Sequence, residues 1–449
     1  MPRMLLTNRF HLGSASRPDG GSPATKLRAA GGSLRGRFAV RTGLWAARLS
    51  RRLGVGEGSI IGGRITLALD PATLRRLAAG KRVVVVSGTN GKTTTSHLLA
   101  AALRTSGRVA HNATGSNMAD GVVAALTADP TASYAVLEVD ELHVAAVARA
   151  VEPEVIVLLN LSRDQIDRGT EVRAVAASLA AALIDCPNTT VVANADDPMV
   201  VWAASPARKA VWVAAGCGWK GDTSSCPRCS DVLDTSTRRW RCRCGLSRPA
   251  SRWRAEQVVG GSHTVVAASS DQARVSITLR LPGEFNVGNA VVALAAASVL
   301  GIDPTIAGAA VQEIDTVGGR YALVQHGAHR LRLLLAKNPA GWTHTMALLD
   351  PASALLLAVN AREADGRDTS WLWDVPFEQL LRTDRAAGVV ASGERAADLG
   401  LRLDYARVPH TTVTDPLAGL GLLPPGPIDV VANYSAFLAL SRRVGRPHR

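Results

Sequence analysis

Residues 83–95, VVVVSGTNGKTTT, constrain the fold of this chain more than any other stretch. Four consecutive valines suit a strand buried on both faces, as a parallel sheet covered by helices requires. That strand delivers the chain to a turn where Gly88 and Gly91 let backbone N–H groups, with those of Thr89 and Asn90 between them, face a bound phosphate. Lys92 adds a mobile positive charge. Thr93, with Thr94 behind it, sets a hydroxyl at a helix N-terminus, where it could ligate Mg2+. The common loop of this kind carries its first glycine where Val86 stands here, so this is a shortened variant in the right strand–loop–helix context.

The rest of the chain repeats the rhythm. Strands are expected at 83–86, 134–137, 155–160 and 190–193, and helices from Lys92 to about Thr105 and at about 142–149 and 171–185. This alternation predicts an α/β fold, a doubly wound sheet carrying the phosphate-binding loop. A Cys-, Ser- and Arg-rich stretch at 217–247 reads as an insertion. A strand at Arg274–Leu281 and an Ala-rich helix at Asn289–Leu300 follow it, and Gly318-Gly319 reads as a hinge. Residues 320–449 alternate again, as a smaller Rossmann-like α/β unit would. The expected organisation is a basic disordered tail over 1–40, a short helical segment over 41–80, a nucleotide-binding domain over 81–317 and a C-terminal domain over 318–449.

A net charge of +14 suggests nucleic acid until it is mapped. Residues 1–82 hold sixteen Lys or Arg against three acids, and the remainder is close to neutral. Such a segment is either a solvated basic arm or an attractor of anionic lipid or nucleic acid. Within it Leu44, Trp45, Arg48, Leu49 and Arg52 fall at helical spacing. No apolar run is long enough for a membrane span, and no secretory signal is evident, so a soluble cytoplasmic protein is expected, with peripheral association at the inner face of the plasma membrane as the expectation the basic segment adds. A nucleic-acid-dependent ATPase would need aromatic groups along a basic stripe. Aromatic content is 4%, so no nucleic-acid partner is expected.

Cys226-Pro-Arg-Cys229 and Cys242-Arg-Cys244 form two close pairs, better suited to one tetrahedral structural Zn2+ than to disulfides. Cys186 and Cys217 are left over. The latter lacks the glycine spacing that a glutaminase nucleophile needs, so any nitrogen drawn from glutamine must come from another protein.

Gly88-Thr-Asn-Gly-Lys-Thr-Thr94 resembles the loop of the Mur ligase family of ATP-dependent amide-forming enzymes. So do Asn194-Ala-Asp-Asp-Pro198, the segment Leu281–Asn289 with Asn286 and Asn289, and Gly319-Arg320. The departures narrow the resemblance. Gln165 stands where a metal-contacting His is usual, no Lys occurs in the helix beginning at Glu171, and the stretch before the loop is short for a UDP-binding domain. With Ala336–Gly341, the loop Ala364–Asp374 and the cysteine insertion, the chain is similar to the branch serving as the Mur-ligase-like subunit of lipid II isoglutaminyl synthase.

The resemblance implies ATP, Mg2+ and a structural Zn2+, and a heterodimer with a class I glutamine amidotransferase subunit of the GatD kind. It implies amidation of the α-carboxylate of D-glutamate in the lipid II stem peptide, at the inner membrane face. In that reading Lys92 pairs with the phosphates and Thr93, Glu138 and Gln165 hold Mg2+. Asn286 and Asn289 flank the nucleobase and Arg320 reaches the γ-phosphate. Asp368 completes the partner's Cys–His pair, with Asp365 and Asp374 as rivals in the same loop. The competing expectation is an amino-acid-adding ligase of the same fold, of the peptide-stem or folate polyglutamate class.

Overall fold

The structure, a computed structural model, describes residues 34–52, 59–113, 115–163, 171–216, 224–237, 239–259, 263–269, 274–317, 320–382 and 388–445. Gln165, Cys217 and the Gly318-Gly319 hinge lie outside the described residues.

The valine run is a central strand, β1 (Arg82–Ser87). Its alternate side chains enter two separate cores, which explains why the run is unbroken. Val84 and Val86 pack with the Lys92–Arg104 and Glu284–Val299 helices. Val83 and Val85 pack on the other face with the Ala119–Ala128, Val144–Val151 and Val172–Ile184 helices. The sheet also contains β2 (Val109–His111), β3 (Tyr134–Glu138), β4 (Val155–Leu158), β5 (Thr190–Asn194), β6 (Lys209–Ala214), β7 (Trp253–Val259), β8 (His263–Ser269) and β9 (Arg274–Leu279), in the order β2-β3-β1-β4-β5-β6-β7-β8-β9. Pairing is parallel from β2 to β7 and antiparallel from β7 to β9.

A second sheet follows, built from β10 (Tyr321–His326), β11 (His329–Leu335), β12 (Ala354–Ala358), β13 (Val389–Ser392), β14 (Thr411–Val413) and β15 (Gly426–Ala432). Its order is β10-β11-β15-β12-β13-β14, and every pair but the β10–β11 hairpin is parallel. It has its own core around Trp342, Phe377 and Leu355–Val359.

Ahead of the first sheet, the Leu34–Arg52 helix crosses the Ser59–Leu69 helix, which rests in turn on the Ala119–Ala128 helix. The first of these starts at Leu34, so residues 34–40 of the expected tail are helical. Ala39 and Val40 extend its buried face, a signal that the flanking glycines and arginines obscure in the sequence. No helix among the described residues is long and apolar enough to cross a membrane.

Candidate active site

The loop after β1 turns through Gly88 (φ 138°) and Gly91 (φ 85°), both in the region that glycine adopts cheaply. Neither tolerates a side chain for a second reason. A Cβ on Gly88 would lie 2.9 Å from the Asn160 carbonyl oxygen, and one on Gly91 would lie 2.5 Å from Asn289 Oδ1. Asn160, at the end of β4, clamps the loop: its Oδ1 accepts from Asn90 N at 2.8 Å and its Nδ2 donates to Asn90 O at 2.9 Å. Asn289 donates to Asn286 Oδ1 at 3.1 Å, and Asn286 donates to Pro282 O at 2.7 Å. The Gly-rich loop and the paired asparagines, almost two hundred residues apart, are therefore in contact.

Lys92 is buried, and its ammonium is held by the Gly88 and Thr89 carbonyls and by Glu141 Oε2 at 3.0 Å. The fold makes Glu141, a residue without any motif of its own, the lysine's counter-ion across 49 residues.

Glu138 ends β3 fully buried, and neither of its carboxylate oxygens has a hydrogen-bond partner. Burying even a neutral polar group without a partner costs about 2–7 kcal/mol, so something must compensate this carboxyl group. Its surroundings indicate what. A Cβ on Gly115 would touch both Glu138 Oε2, at 3.9 Å, and the Thr93 hydroxyl, at 3.7 Å. A carboxylate and a threonine hydroxyl beside a phosphate-binding loop form an oxygen donor set that fits Mg2+. Asn112 holds this end of β3, bonding both the N–H and the carbonyl of Glu138 at 2.8 Å.

The second sheet closes over this loop. Arg320 Nη2 donates to Thr93 Oγ1 at 2.9 Å, and Asn338 Nδ2 donates to Asn90 Oδ1 at 3.2 Å. The Phe285 and His344 rings stack across the cleft at 5.6 Å. Two adjoining cavities share Asn90, Gly91, Asn289 and these two rings. The larger, 720 Å3, opens over the ends of β4, β5 and β6; the other reaches Thr93, Thr94, Arg320 and Lys337.

Behind Thr93, His97 Nδ1 contacts the Thr93 carbonyl at 2.8 Å and packs edge-on against His111, 4.7 Å between ring centres. Burial, then His97 and Arg104, push the His111 imidazole down to about 3, and it is neutral.

The four cysteines converge in the insertion. Cys226 and Cys244 sulfurs are 3.6 Å apart, Cys229 and Cys242 sulfurs 3.4 Å, and all four Sγ atoms lie within 4.8 Å of one another. A tetrahedron of Zn–S bonds has edges of about 3.8 Å, so the thiol set fits zinc with no position open to substrate. The insertion is anchored to the end of β5 by Trp240 Nε1 on the Ala195 carbonyl (3.3 Å) and by Arg248 on Asp196 (2.6 Å).

The three candidate acids of the C-terminal loop differ. Asp365 is buried and turned inward, its carboxylate accepting from the Ser435 N–H at 2.8 Å and from the Ser435 hydroxyl. Asp368 and Asp374 are exposed. Asp368 Oδ1 accepts from Ser370 N at 2.7 Å, which holds its carboxyl below the usual range. At the end of this loop Trp373 (52% exposed) meets Tyr405 (69% exposed) edge-on, with Leu401 also exposed.

Comparison with known proteins gives a consistent set. Residues 335–437 match the MurT ligase C-terminal family and residues 86–220 the Mur ligase middle domain. Subunit MurT of lipid II isoglutaminyl synthase (glutamine-hydrolyzing) from Streptococcus pneumoniae is 30% identical over 383 residues, 80% of this chain and 85% of that protein. The same subunit from Staphylococcus aureus is 28% identical over 82% of this chain and 88% of its own. The UDP-N-acetylmuramoylalanine–D-glutamate ligase of Frankia casuarinae is 27% identical over 67% of this chain but 53% of its own length. Among solved structures, a pseudomurein peptide ligase type C from Methanothermus fervidus superposes with a TM-score of 0.64 at 18% identity, over 81% of this chain and 78% of that one. Folylpolyglutamate synthase of Mycobacterium tuberculosis does so with a TM-score of 0.56 at 16% identity, over 84% and 94%. At that identity these structures speak to the fold.

Proposed function

This chain belongs to the MurT family of lipid II isoglutaminyl synthase subunits, and we propose that it carries out that enzyme's ATP-dependent amidation of a carboxylate. It is an ATP-dependent ligase of the Mur type and a subunit of a larger enzyme. The observation that supports the mechanistic reading is Glu138, a buried carboxylate without hydrogen-bond partners that borders Gly115 together with the hydroxyl of Thr93, at a phosphate-binding loop.

In this reading the acceptor is the α-carboxylate of D-glutamate in the stem peptide of lipid II. A carboxylate does not condense with ammonia because oxide is a poor leaving group. Transfer of the γ-phosphoryl of ATP to a carboxylate oxygen makes an acyl phosphate. Ammonia then attacks its carbonyl carbon, phosphate departs with the C–O bond, and the nitrogen loses a proton. Catalysis of this kind is mostly positioning and charge neutralisation. Lys92 would exchange Glu141 and the loop carbonyls for the β- and γ-phosphates. Glu138 and Thr93 would hold Mg2+, which when bound neutralises phosphate charge, and Gln165 joins that set by its place in the family pattern. Gly88, Thr89, Asn90, Gly91 and Thr94 would cradle the phosphates, Asn286 and Asn289 the base, and Arg320 the γ-phosphate on closure. Zn2+ on the four cysteines would be structural.

The partner we propose is a class I glutaminase that releases ammonia. Asp368 would orient its catalytic His, a role for which its exposure suits it and for which Asp365, committed to Ser435, does not. The exposed pair of Trp373, within that loop, and Tyr405 would lie in the contact. An amino-acid-adding ligase fits less well: in sequence the D-glutamate-adding ligases align over 53 and 55% of their own length, the MurT subunits over 85 and 88% of theirs.

The test is co-purification with the candidate glutaminase and mass spectrometry of a lipid II reaction supplied with ATP and glutamine. Conversion of a stem-peptide carboxyl to its amide, dependent on Lys92, supports the proposal. Unchanged lipid II, with an amino acid joined to another acceptor, would overturn it.

A further inference from the structure

The Leu34–Arg52 helix turns one face to the protein and leaves the other bare. Its buried side is Gly36, Ala39, Val40, Gly43 and Ser50. Gly43 fixes the rotation: a Cβ there would stand 2.1 Å from Thr66 Oγ1 and 2.5 Å from the Gly62 carbonyl of the crossing helix. A helix seated that closely cannot roll to hide its opposite side. On that side Leu34, Phe38, Trp45 and Leu49 are 79, 63, 64 and 40% exposed. At 3.6 residues per turn the four fall within about 60° of one another, so they form one stripe running the length of the helix.

Charge indicates what the stripe meets. The helix carries six arginines and no acid. Arg41 and Arg48 border the stripe on one flank and Arg35 on the other, while Arg51 and Arg52 end it. None of the six forms an ion pair with a carboxylate of the described residues; Arg35 Nε bonds the Leu69 carbonyl. Large apolar groups between unpaired arginines, on a helix too polar to span a bilayer, match an interfacial helix lying in a headgroup layer.

We propose that this helix docks the protein flat on an anionic lipid surface, with Leu34, Phe38, Trp45 and Leu49 in the acyl boundary and the flanking arginines on lipid phosphates. The contact reaches the candidate site through two helices. Gly63 of the Ser59–Leu69 helix abuts the Asp120 carbonyl so closely that a Cβ would lie 2.0 Å from it. Asp120 opens the helix that follows the 112–118 segment, where Asn112 and Gly115 border Glu138. The proposal does not depend on the identity of the reaction.

The experiment is flotation of the full-length protein with vesicles of phosphatidylcholine alone, and of phosphatidylcholine mixed with phosphatidylglycerol. Neither contains lipid II or nucleotide, so the outcome is separate from that of the ligase assay. The wild type should float with the anionic vesicles and scarcely with the neutral ones. Arg41→Gln with Arg48→Gln should weaken binding about fivefold per arginine, and the residual binding should lose part of its salt dependence. Phe38→Ser with Trp45→Ser should abolish flotation without lowering the melting temperature, because both rings are exposed. Leu323→Ser, which alters an exposed leucine (66%) on β10, should change nothing. Equal binding to both vesicle types, or no loss in either double variant, overturns the proposal. So does a wild-type dimer that Phe38→Ser with Trp45→Ser makes monomeric without any vesicle binding, since a second copy would then cover the stripe.

Discussion

At the scale of single residues, Glu138 and Asp368 carry opposite risks. Both carboxyl oxygens of Glu138 are buried without a hydrogen-bond partner, so its burial destabilises the metal-free protein. Glu138→Gln should therefore melt higher than the wild type without metal, by about 1 kcal/mol or more. The same change should lower ATP-dependent turnover at least about a hundredfold. Added Mg2+ should raise the melting temperature of the wild type and not of the variant; an equal rise in both would remove Glu138 from the metal set. Asp368 is exposed, and Asp368→Asn keeps an acceptor for the Ser370 N–H, so the fold should be untouched. Amidation driven by glutamine should be lost, while amidation driven by ammonium is retained. Loss of both would show that the residue acts in this subunit and not across the interface. Neither distinction was available from sequence. Asp365, Asp368 and Asp374 are chemically alike, and only Ser435, seventy residues downstream, separates the first from the others.

At the scale of elements, legibility followed the distance between partners. The phosphate-binding loop and the cysteine pairs were readable because their residues are near neighbours in the chain with fixed chemical demands. Asn160, Glu141 and His111 were not, since their partners lie in the phosphate-binding loop and the helix after it, 70, 49 and 15 residues away. The insertion's small core, Cys226, Leu233, Trp240, Cys242 and Leu246, is too small to hold itself together without the metal. Cys229→Ser, or chelation, should release one zinc per chain and shift Trp240 emission to the red; unchanged emission with no zinc in the native protein would refute a zinc centre. The Lys92–Arg104 helix meets β2 through His97, Ser96 and His111. His111 folds neutral, its imidazole lowered from 6.5 to about 3. The unfolded chain takes up the proton first, so stability should be full above pH 6.5 and fall as pH drops towards 3. Between pH 7 and 5 this one group should cost about 2 kcal/mol in urea unfolding, and His111→Gln should flatten that slope. A slope unchanged by the substitution would assign it elsewhere.

At the scale of the whole molecule, the two sheets meet chiefly where a nucleotide would lie. Arg320 on Thr93, Asn338 on Asn90 and Phe285 against His344 all cross the cleft, and every one of these residues but Asn338 lines one or both cavities. An interface made of a few polar contacts around a cavity is governed by what enters it. Arg320 donates to the Thr93 hydroxyl that metal binding would claim; in the proposed reading nucleotide with Mg2+ would draw the guanidinium from that hydroxyl to the γ-phosphate. The same residue would then hold the cleft before binding and tighten it afterwards. Arg320→Lys retains the charge but loses the planar fork that can bond two oxygens at once. We expect a turnover about ten- to a hundredfold lower with nucleotide KM changed by no more than about threefold, the pattern of an interaction made mainly in the transition state. Small-angle scattering should show the wild type contracting on addition of nucleotide and Mg2+, and the variant contracting less. If KM rises while turnover holds, Arg320 serves only to bind nucleotide. If neither changes, its bond to Thr93 is a resting contact and closure rests on Asn338 and the Phe285–His344 pair.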